Sequence, residues 1–342
     1  MMLPLPAKRI WDGTIILVAD PVDPQSPTDA FDRRIDRPYR STVEEISDAL
    51  LNCCDQLIIV DDLTNFTTEL HEHLQSLVFP YWFGESSRSR HGLVPAICEA
   101  NNVMFVGADA FVKVVCNDKE LSKSVCRQCG LNAPGSITIQ SLDDLSFVKN
   151  VRPPVVVKPN YEGTSLGITQ RNLCRSLREI LDIAETTLKR LGQPVIIEEF
   201  IEGREFSACL FGDASGKIDV EVGSWKIDGR SDYLDSRLNT FDLKLPNELA
   251  FQFDLITEQI NENELTAMKR CFGSLGKVEL LRIDGRLNKA GLFIIELTPD
   301  IYLGSNGEYF LALRNRFTAY SNLIARIVSN SLKWYQAEMP VS

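Results

Sequence analysis

Residues 155–167 read V-V-V-K-P-N-Y-E-G-T-S-L-G, a strand-like run followed by a loop with two glycines. Three β-branched residues predict a short buried strand, which ends at Lys158. Gly163 and Gly167 allow the loop backbone to approach an anion closely, and a lysine supplies a mobile positive charge. This combination is typical of a flap that lays backbone N–H groups over phosphate oxygens, and it indicates a nucleotide site. A strand followed by an ordinary surface turn is the alternative.

The length of 342 residues exceeds one ordinary core and suits two or three α/β domains, and a hydrophobic content of 44% can fill their interiors. No run approaches the roughly 20 apolar residues of a membrane span, and residues 1–12 lack the apolar region of a signal peptide. We therefore expect a cytoplasmic protein without a membrane partner. The net charge of −11 argues against a general nucleic-acid binder, because affinity for the phosphate backbone needs clustered lysine and arginine.

The cysteines predict reduced thiols rather than a disulfide framework. Their number, nine, is odd, and most of them fall in apolar or helical patterns. Cys126 and Cys129 form a C-x-x-C pair, but this pair lies in a helix-like stretch with no second pair and no nearby histidine. The pattern therefore disfavours a metal or redox role for these two thiols.

The first part of the chain alternates strand and helix signals. Residues 42–53 predict a helix that Ser41 or Thr42 caps. Residues 20–40 are rich in Asp, Pro and Arg and predict a long loop at the C-terminal end of a strand, where open α/β sheets bind ligands. A floppy insertion is the alternative for this loop. Buried parallel strands are predicted at 14–19 and 57–60.

The pattern divides the chain into an N-terminal α/β domain (1–113), a central α/β unit (114–199) and a C-terminal unit (200–342). Asn117 is expected to cap a helix that ends at Gly130, because a glutamate follows it three residues on. Further helices are predicted at 93–100, 173–191, 257–274 and 308–332, and further strands at 103–107, 195–199, 206–211, 217–222, 277–284 and 292–297.

Two neighbouring strands near the C-terminal end carry a candidate metal site. Arg282 and Asp284 lie two residues apart and therefore on one face of a strand, and Glu296 ends the next strand. The turn at 288–291 predicts a hairpin that places the two carboxylates side by side. Adjacent like charges are costly unless a cation lies between them, and oxygen ligands on rigid strands suit Mg²⁺ bound to nucleotide phosphates. An ordinary hairpin with its polar residues facing solvent is the alternative.

Four motifs in this order resemble those of the ATP-grasp enzymes, and among them those of the D-alanine:D-alanine ligases. They are N-D-K-E-L-S-K around Lys119, the flap of residues 155–167, I-I-E-E-F-I-E-G-R-E-F (196–206), and L-R-I-D-G-R with F-I-I-E-L-T-P (281–299). The resemblance covers roughly residues 75–315. It implies an α/β fold, α+β in part, with three lobes and ATP between the central and C-terminal lobes.

The resemblance also implies roles for individual residues. The catalytic residues would be Arg282, Lys158, Thr164 and Ser165, with Arg282 steadying the transferred phosphate and the two hydroxyl residues closing over the substrate. Mg²⁺ or Mn²⁺ would be held by Asp284 and Glu296. The residues expected at ATP are Lys119, Lys158, Glu198, Glu199, Phe200, Ile201 and Glu205.

The mechanism that the resemblance implies is ATP-dependent amide formation between two small molecules, an amino acid or other carboxylate and an amine. A carboxylate is a poor electrophile, so ATP first converts it to an acyl phosphate, which the amine then attacks. Lysines, Arg282 and the metal would stabilise charge on the phosphoryl group, and loop closure would keep water away. A homodimer through helices of the first domain is also implied.

The metal site departs from the family pattern at one position. Thr298 stands where the family usually has an asparagine that completes the metal ligands. A hydroxyl is a weaker Mg²⁺ ligand than an amide carbonyl, so a second metal would need Asp300 or Asn306 to compensate.

The acceptor pocket departs further. Gly307 falls near the place of a serine that binds the carboxylate of the second substrate, and Ser236 and Arg237 stand where a Lys-Tyr pair is expected. Arg237 or Lys226 could supply the missing charge. The family's N-terminal loop carries an acidic residue for the first amino group, and the loop of residues 20–40 is longer, different and cannot be aligned to it. An intact ATP side with a changed pocket favours a specialised amino-acid or natural-product ligase. The alternatives are a genuine D-alanine:D-alanine ligase of cell-wall synthesis, another ATP-grasp reaction, and an ATP-binding protein without catalysis.

Overall fold

The computed structural model describes residues 9–23, 29–85, 87–213, 215–245, 247–317 and 319–338. Its strands are β1 (Thr14–Ala19), β2 (Gln56–Val60), β3 (Leu77–Tyr81), β4 (Met104–Phe105), β5 (Ser136–Ile139), β6 (Val155–Pro159), β7 (Leu173–Cys174), β8 (Val195–Glu199), β9 (Arg204–Gly212), β10 (Ile218–Ile227), β11 (Phe251–Leu255), β12 (Leu280–Asn288) and β13 (Gly291–Thr298). Its helices are α1 (Arg40–Leu51), α2 (Leu63–Glu72), α3 (Leu93–Ala100), α4 (Ala110–Asn117), α5 (Lys119–Gln128), α6 (Leu177–Leu191), α7 (Glu262–Ser274), α8 (Glu308–Leu313) and α9 (Tyr320–Glu338). Residues 1–8, 24–28 and 339–342 of the predicted domains and loop lie outside the described residues.

The first sheet has strand order β2-β1-β3-β4, and its strands are parallel, as the sequence predicts for β1 and β2. Its central strand β1 is an apolar run rather than an alternating one because helices cover both faces. Ile15 and Leu17 pack towards α1 and α9, whereas Ile16 and Val18 pack towards α2 and α3. All four side chains are fully buried, so this sheet is a rigid base for the loops at its C-terminal edge.

Several helix boundaries in the first third differ from the prediction. Helix α1 begins at Arg40, and its N-cap Tyr39 makes no side-chain cap, so neither Ser41 nor Thr42 caps it. The backbone N–H of residue 40 donates to the Val22 carbonyl. The helix begins at this residue, two residues before the predicted start. Asp118, not Asn117, caps α5 by accepting hydrogen bonds from two backbone N–H groups of its first turn. Helix α4, which precedes it, was not predicted.

The second sheet is antiparallel, with order β5-β8-β6-β7, and helix α6 covers one face. Ser176 caps α6 in a capping box, and Gly192 ends it with a φ of 61°. Ile180, Ala184 and Leu188 of its predicted apolar face are buried. The other two members, Leu177 and Leu181, are 41% and 40% exposed, so the buried stripe is narrower than the sequence indicates.

The third sheet is antiparallel, with order β11-β10-β9-β12-β13. The single predicted helix at 308–332 consists of two helices, α8 and α9. Helix α9 packs against α1 and contacts both the first and the third sheet. Ile324 and Val328 share one core with Leu17 of β1 and Phe211 of β9, and Asn330 donates a hydrogen bond to the Gly212 carbonyl. The boundaries at 113 and 199 stay a prediction.

Two further observations concern the whole chain. Across the described ranges, no helix is both long enough and apolar enough to cross a bilayer. All nine cysteines are free and buried, including Cys126 and Cys129 at the end of α5.

Candidate active site

Two adjoining cavities lie where the three sheets meet. The smaller, of about 170 Å³, is bounded by the flap, the end of β8 and the hairpin β12–β13. The larger, of about 450 Å³, reaches from the same flap to residues 35–39 of the first third of the chain. The smaller cavity brings together the predicted ATP, catalytic and metal residues Lys119, Lys158, Thr164, Ser165, Glu198, Glu199, Phe200, Ile201, Glu205, Arg282, Asp284 and Glu296.

The three remaining predicted residues have different positions. Thr298 and Gly307 line the larger cavity. Arg237 is not among the described residues that line either cavity, and its guanidinium lies over the ring of Tyr233 at 5.2 Å. Lys226, the other candidate for the missing charge, pairs with Asp254. Lys244, which was not predicted from the sequence, lines both cavities, as do Lys119 and Arg282.

A buried group of lysines and one glutamate forms the base of the smaller cavity. Glu198 accepts from Lys158 at 2.5 Å and from Lys123 at 2.8 Å. Burial alone would raise the pKa of Glu198, but the two lysines lower it to about 2. Burial lowers the pKa of Lys158, and the charges of Lys123 and Lys119 lower it further, although Glu198 acts in the opposite direction. Glu198 contacts Lys158 and Lys123, and its role at ATP stays a prediction.

Lys123 is a site residue that the sequence analysis missed. It lies four residues after Lys119 on α5, and this spacing places both on one face of the helix. The four-residue spacing from Lys119 is the feature of the sequence that could have identified Lys123. Its side chain is completely buried and also donates to Ser136.

The hairpin β12–β13 places the two predicted metal ligands in direct register, Asp284 opposite Glu296. Arg282 donates its Nε–H to both carboxylate oxygens of Asp284, at 2.9 and 3.0 Å, and Ser207 donates to one of them at 2.7 Å. Burial raises the pKa of Asp284 to about 6 despite Arg282, and Glu296 adds to the rise. The pKa of Glu296 is lowered despite burial, because Lys119 lies 3.1 Å away and Lys158 and Arg282 are near.

This donor set fits one divalent cation better than two. Two buried carboxylates side by side are the oxygen ligands that Mg²⁺ prefers. Thr298 pairs with Arg282 and lies two residues from Glu296 on the same face, but it offers only a hydroxyl, a weaker Mg²⁺ ligand. Asp300 cannot compensate, because one of its oxygens pairs with Lys113 and the other with His91. The amide oxygen of Asn306 accepts a hydrogen bond from a tyrosine hydroxyl.

Glu205 and the flap are held by neighbouring groups. Glu205 pairs with Arg286 at 2.7 Å and accepts from Asn239 at 3.2 Å, so its carboxylate has a fixed orientation. Thr164 and Ser165 have φ values of 48° and 58°, a left-handed conformation that costs free energy in residues other than glycine. Contacts from neighbouring segments therefore have to hold the flap in this shape.

The contact partner of the flap is the loop of residues 20–40, whose role the sequence left open. Thr164 donates to Asp36 at 2.8 Å, and the backbone N–H of Gly167 donates to the Ala30 carbonyl at 2.6 Å. A β-carbon at Gly163 would lie 2.7 Å from Asp36 Oδ1, so only glycine permits this approach. The flap is thus closed over the junction of the two cavities.

Asp36 belongs to a buried network that the sequence analysis missed. Arg90 bridges Asp36 at 3.1 Å and Glu162 at 3.0 Å. Burial acts against ionisation of Asp36, but His91 and Arg90 hold its pKa well below the usual range. Burial also opposes the charge on His91, yet Asp300 and Asp36 raise the pKa of His91 above its ordinary value. This network keeps an ionised carboxylate in the wall of the larger cavity.

A Thr164→Val substitution tests the flap contact. Valine keeps the shape but cannot donate to Asp36, and a hydrogen bond to a charged partner contributes enough that we expect about tenfold slower ADP release. Uncoupled hydrolysis should rise as a fraction of ADP release, because a looser flap admits water. Thr164→Ser retains the hydroxyl and serves as the control. Wild-type coupling in the valine variant would contradict the role of this contact.

Comparisons with known proteins agree with this geometry. Residues 138–329 match the family model described as "D-ala D-ala ligase C-terminus". The chain is 25% identical over 281 residues to a D-alanine–D-alanine ligase of Bacillus anthracis, covering 80% of this chain and 86% of the relative.

Solved structures show the same fold. The ATP complex of the D-alanine–D-alanine ligase from Bacillus anthracis superposes with a TM-score of 0.72 at 18% identity, covering 96% of this chain and 99% of that chain. The VanG D-Ala:D-Ser ligase from Enterococcus faecalis superposes with a TM-score of 0.63 at 17% identity, covering 95% and 99%. The predicted ATP-grasp fold is confirmed, and because the family model spans more than half of its residues, the chain belongs to the D-alanine–D-alanine ligase family of ATP-dependent ligases.

Proposed function

We propose that this protein joins a carboxylate to an amine through an acyl phosphate, with ATP as the phosphoryl donor. The observation that carries the proposal is the convergence of Lys119, Lys158, Arg282, Asp284 and Glu296 on one cavity that opens into a second, larger one. A phosphoryl site beside a separate organic pocket is the arrangement that a two-step ligase requires.

The charged side chains at the smaller cavity have different proposed roles. Asp284 and Glu296 would hold Mg²⁺, which when bound supplies positive charge at the phosphates. Lys158 is oriented by Glu198 towards the phosphate position, and the guanidinium of Arg282 has its Nε fixed by Asp284. These preorganised cations would stabilise charge on the transferred phosphoryl group without having to reorganise during the reaction.

In the proposed first step, a carboxylate oxygen attacks the γ-phosphorus of ATP and ADP leaves. In the second, the amine nitrogen attacks the acyl carbon, phosphate leaves and the nitrogen loses a proton. The closed flap excludes water between the steps, because hydrolysis would compete with the amine. Asp36, ionised in the cavity wall and bonded to Thr164, is suited to bind an ammonium group of the first substrate.

The larger cavity supports a specialised substrate pair over two alanines. Its volume of about 450 Å³ falls within the range of about 300–1,000 Å³ of pockets for drug-sized ligands. Aromatic and aliphatic side chains form much of its wall: Tyr39, Tyr81, Phe83, Trp225, Ile227, Leu234, Leu243, Phe251 and Tyr302. An alanine methyl group would leave most of this apolar surface uncovered. Ligation of D-alanine to itself is the second candidate, because a relative with that name covers most of the chain.

A panel of D- and L-amino acids, incubated with ATP and Mg²⁺ singly and in pairs, tests the proposal. We expect ADP release that depends on a carboxylate and a product whose mass equals the two substrates less water. Release with D-alanine alone would establish the second candidate. ATP binding without ADP release for any pair, with hydroxylamine offered as an alternative acceptor, would contradict the ligase proposal and favour a protein that binds ATP without catalysis.

A further inference from the structure

A glutamate occupies the end of the larger cavity that faces the reaction centre. Glu308 is the first residue of α8, and it lines both cavities. Its Oε1 accepts a hydrogen bond from the indole N–H of Trp225 at 3.2 Å, and its Oε2 lies 3.6 Å from Nη1 of Arg282. Only 18% of its side chain is exposed. A negative charge is therefore fixed at the point where the cavities meet.

The two cations beside Glu308 face its carboxylate. Arg282 directs Nε to Asp284 and Nη1 to Glu308, and the charge of Lys244 also acts on Glu308. Burial opposes ionisation of Glu308, but Arg282 and Lys244 lower its pKa, so the carboxylate stays charged. A substrate carboxylate beside these two cations would meet Glu308 at close range, and like charges in a partly buried site repel strongly.

The residue that precedes Glu308 carries no hydroxyl. A side chain cannot be placed at position 307, because a β-carbon on Gly307 would lie 2.6 Å from the ring of Tyr302. The Tyr302 hydroxyl donates to Asn306 at 3.0 Å and lies 3.2 Å from the Thr42 hydroxyl, so it is already engaged. The packing of Tyr302 thus excludes a hydroxyl that could bind a carboxylate at this position.

The wall next to Glu308 suits an organic cation. Trp225 packs edge-on against Phe251 and Phe253, with ring centroids 6.1 and 4.9 Å apart, which fixes the indole beside the carboxylate. An ammonium group gains from a carboxylate and from a nearby aromatic ring, and an apolar body gains from the aliphatic wall. Neither gain requires a second, negatively charged group on the ligand.

From these contacts we propose that Glu308 makes the acceptor site selective for a primary amine that carries no carboxylate beside its amino group. Glu308 acts here as a specificity-determining residue whose carboxylate accepts a hydrogen bond from the acceptor amine and repels a carboxylate beside it. The inference rests on the proposed ligase function and narrows its second substrate from amino acids to simple or amidated amines.

Hydroxylamine is used first, because it tests the ligase proposal separately from the inference about Glu308. Hydroxylamine captures an acyl phosphate as a hydroxamate, so hydroxamate formation with a member of the amino-acid panel identifies the carboxylate substrate independently of the natural acceptor. That carboxylate is then offered matched acceptor pairs that differ only in the carboxylate: alaninamide against alanine, phenethylamine against phenylalanine, and 1,5-diaminopentane against lysine.

We expect kcat/KM for the amine to exceed that for its amino acid by at least about tenfold in the wild-type protein. In Glu308→Gln the ratio should fall below about threefold, because the repulsion of the carboxylate is removed. Glu308→Asp should restore part of the preference. The control Glu45→Gln removes a charge that holds the same loop through Ser305 but does not line the cavity, and it should leave the ratio unchanged.

Hydroxamate formation together with a wild-type preference for the amino acids would overturn this inference and leave the ligase proposal standing. An unchanged ratio in Glu308→Gln would also overturn it. Absence of hydroxamate with every carboxylate of the panel would overturn the ligase proposal and this inference together.

Discussion

An Asp284→Asn variant is expected to remain folded and to release ADP about a thousandfold more slowly than the wild-type protein. Asparagine removes the charge of one of the two carboxylates that face each other across the hairpin, so the remaining Glu296 cannot hold a divalent cation tightly. The fold should tolerate the change, because an amide oxygen still accepts from Ser207 and from Arg282. The repulsion between residues 284 and 296 is relieved at the same time.

The measurement combines ADP release with thermal unfolding in the absence of nucleotide. The melting temperature of Asp284→Asn should stay within about 3 °C of the wild-type value. Asp254→Asn is the matched control, because Asp254 lies on β11 of the same sheet, pairs with Lys226 and lines neither cavity among the described residues. Wild-type turnover in Asp284→Asn would refute its assignment as a metal ligand.

The largest effect on stability is expected from Glu198→Gln. Glu198 is the carboxylate between Lys123 and Lys158, and all three side chains are buried. Removing one partner of a buried ion pair leaves uncompensated charge in the interior, which costs about 3–5 kcal/mol. The urea midpoint of the variant should fall accordingly, and ADP release should be lost because Lys158 is no longer oriented.

Glu120→Gln is the matched control for this substitution. Glu120 contacts the same lysine, Lys123, at 3.7 Å but is partly exposed, so its removal should cost less than about 1 kcal/mol. An equal loss in the two variants would show that burial of Glu198 does not set the cost.

The pH dependence of stability also tests the contact of Glu198 with its two lysines. The lysines hold the pKa of Glu198 at about 2, below the ordinary value of 4.5 for glutamate. A carboxylate whose pKa is depressed in the folded state stabilises the fold above its unfolded pKa, and this stabilisation is lost as the pH falls towards the folded pKa. Wild-type stability should therefore decline between about pH 4.5 and pH 2. The Glu198→Gln variant should show a smaller decline over the same interval.

The proximity of the side chains expected at the nucleotide could be predicted from sequence because they lie on short, regular elements. The turn at 288–291 predicts the hairpin, but counting back from it pairs Asp284 with residue 295, and an irregularity in the register between Asp284 and Gly285 brings Glu296 opposite Asp284. The flap was predicted from its glycines, and the structure shows what Gly163 does there, which is to admit Asp36.

The larger cavity could not be predicted from the sequence, because the contacts in its wall join distant parts of the chain. Arg90 meets Asp36 and Glu162, which lie 54 and 72 residues away in sequence, and local periodicity carries no information on such pairs. Glu308 was missed for the same reason, since it lies on α8 whereas its partners Trp225 and Arg282 lie on β10 and β12. The division of the last helical segment was also missed, because apolar spacing indicates that a helix has a buried side but not which sheet covers it.

The return of α9 to the first sheet has a consequence for biosynthesis. Leu323, Ile324 and Ile327 fill the same core as Ile15 and Ile46, yet they are translated long after β1 and α1. A nascent chain therefore has α1 but not yet α9 on this side of its parallel sheet while the ribosome makes the other two sheets. The apolar side chains that α9 covers become buried only when α9 docks.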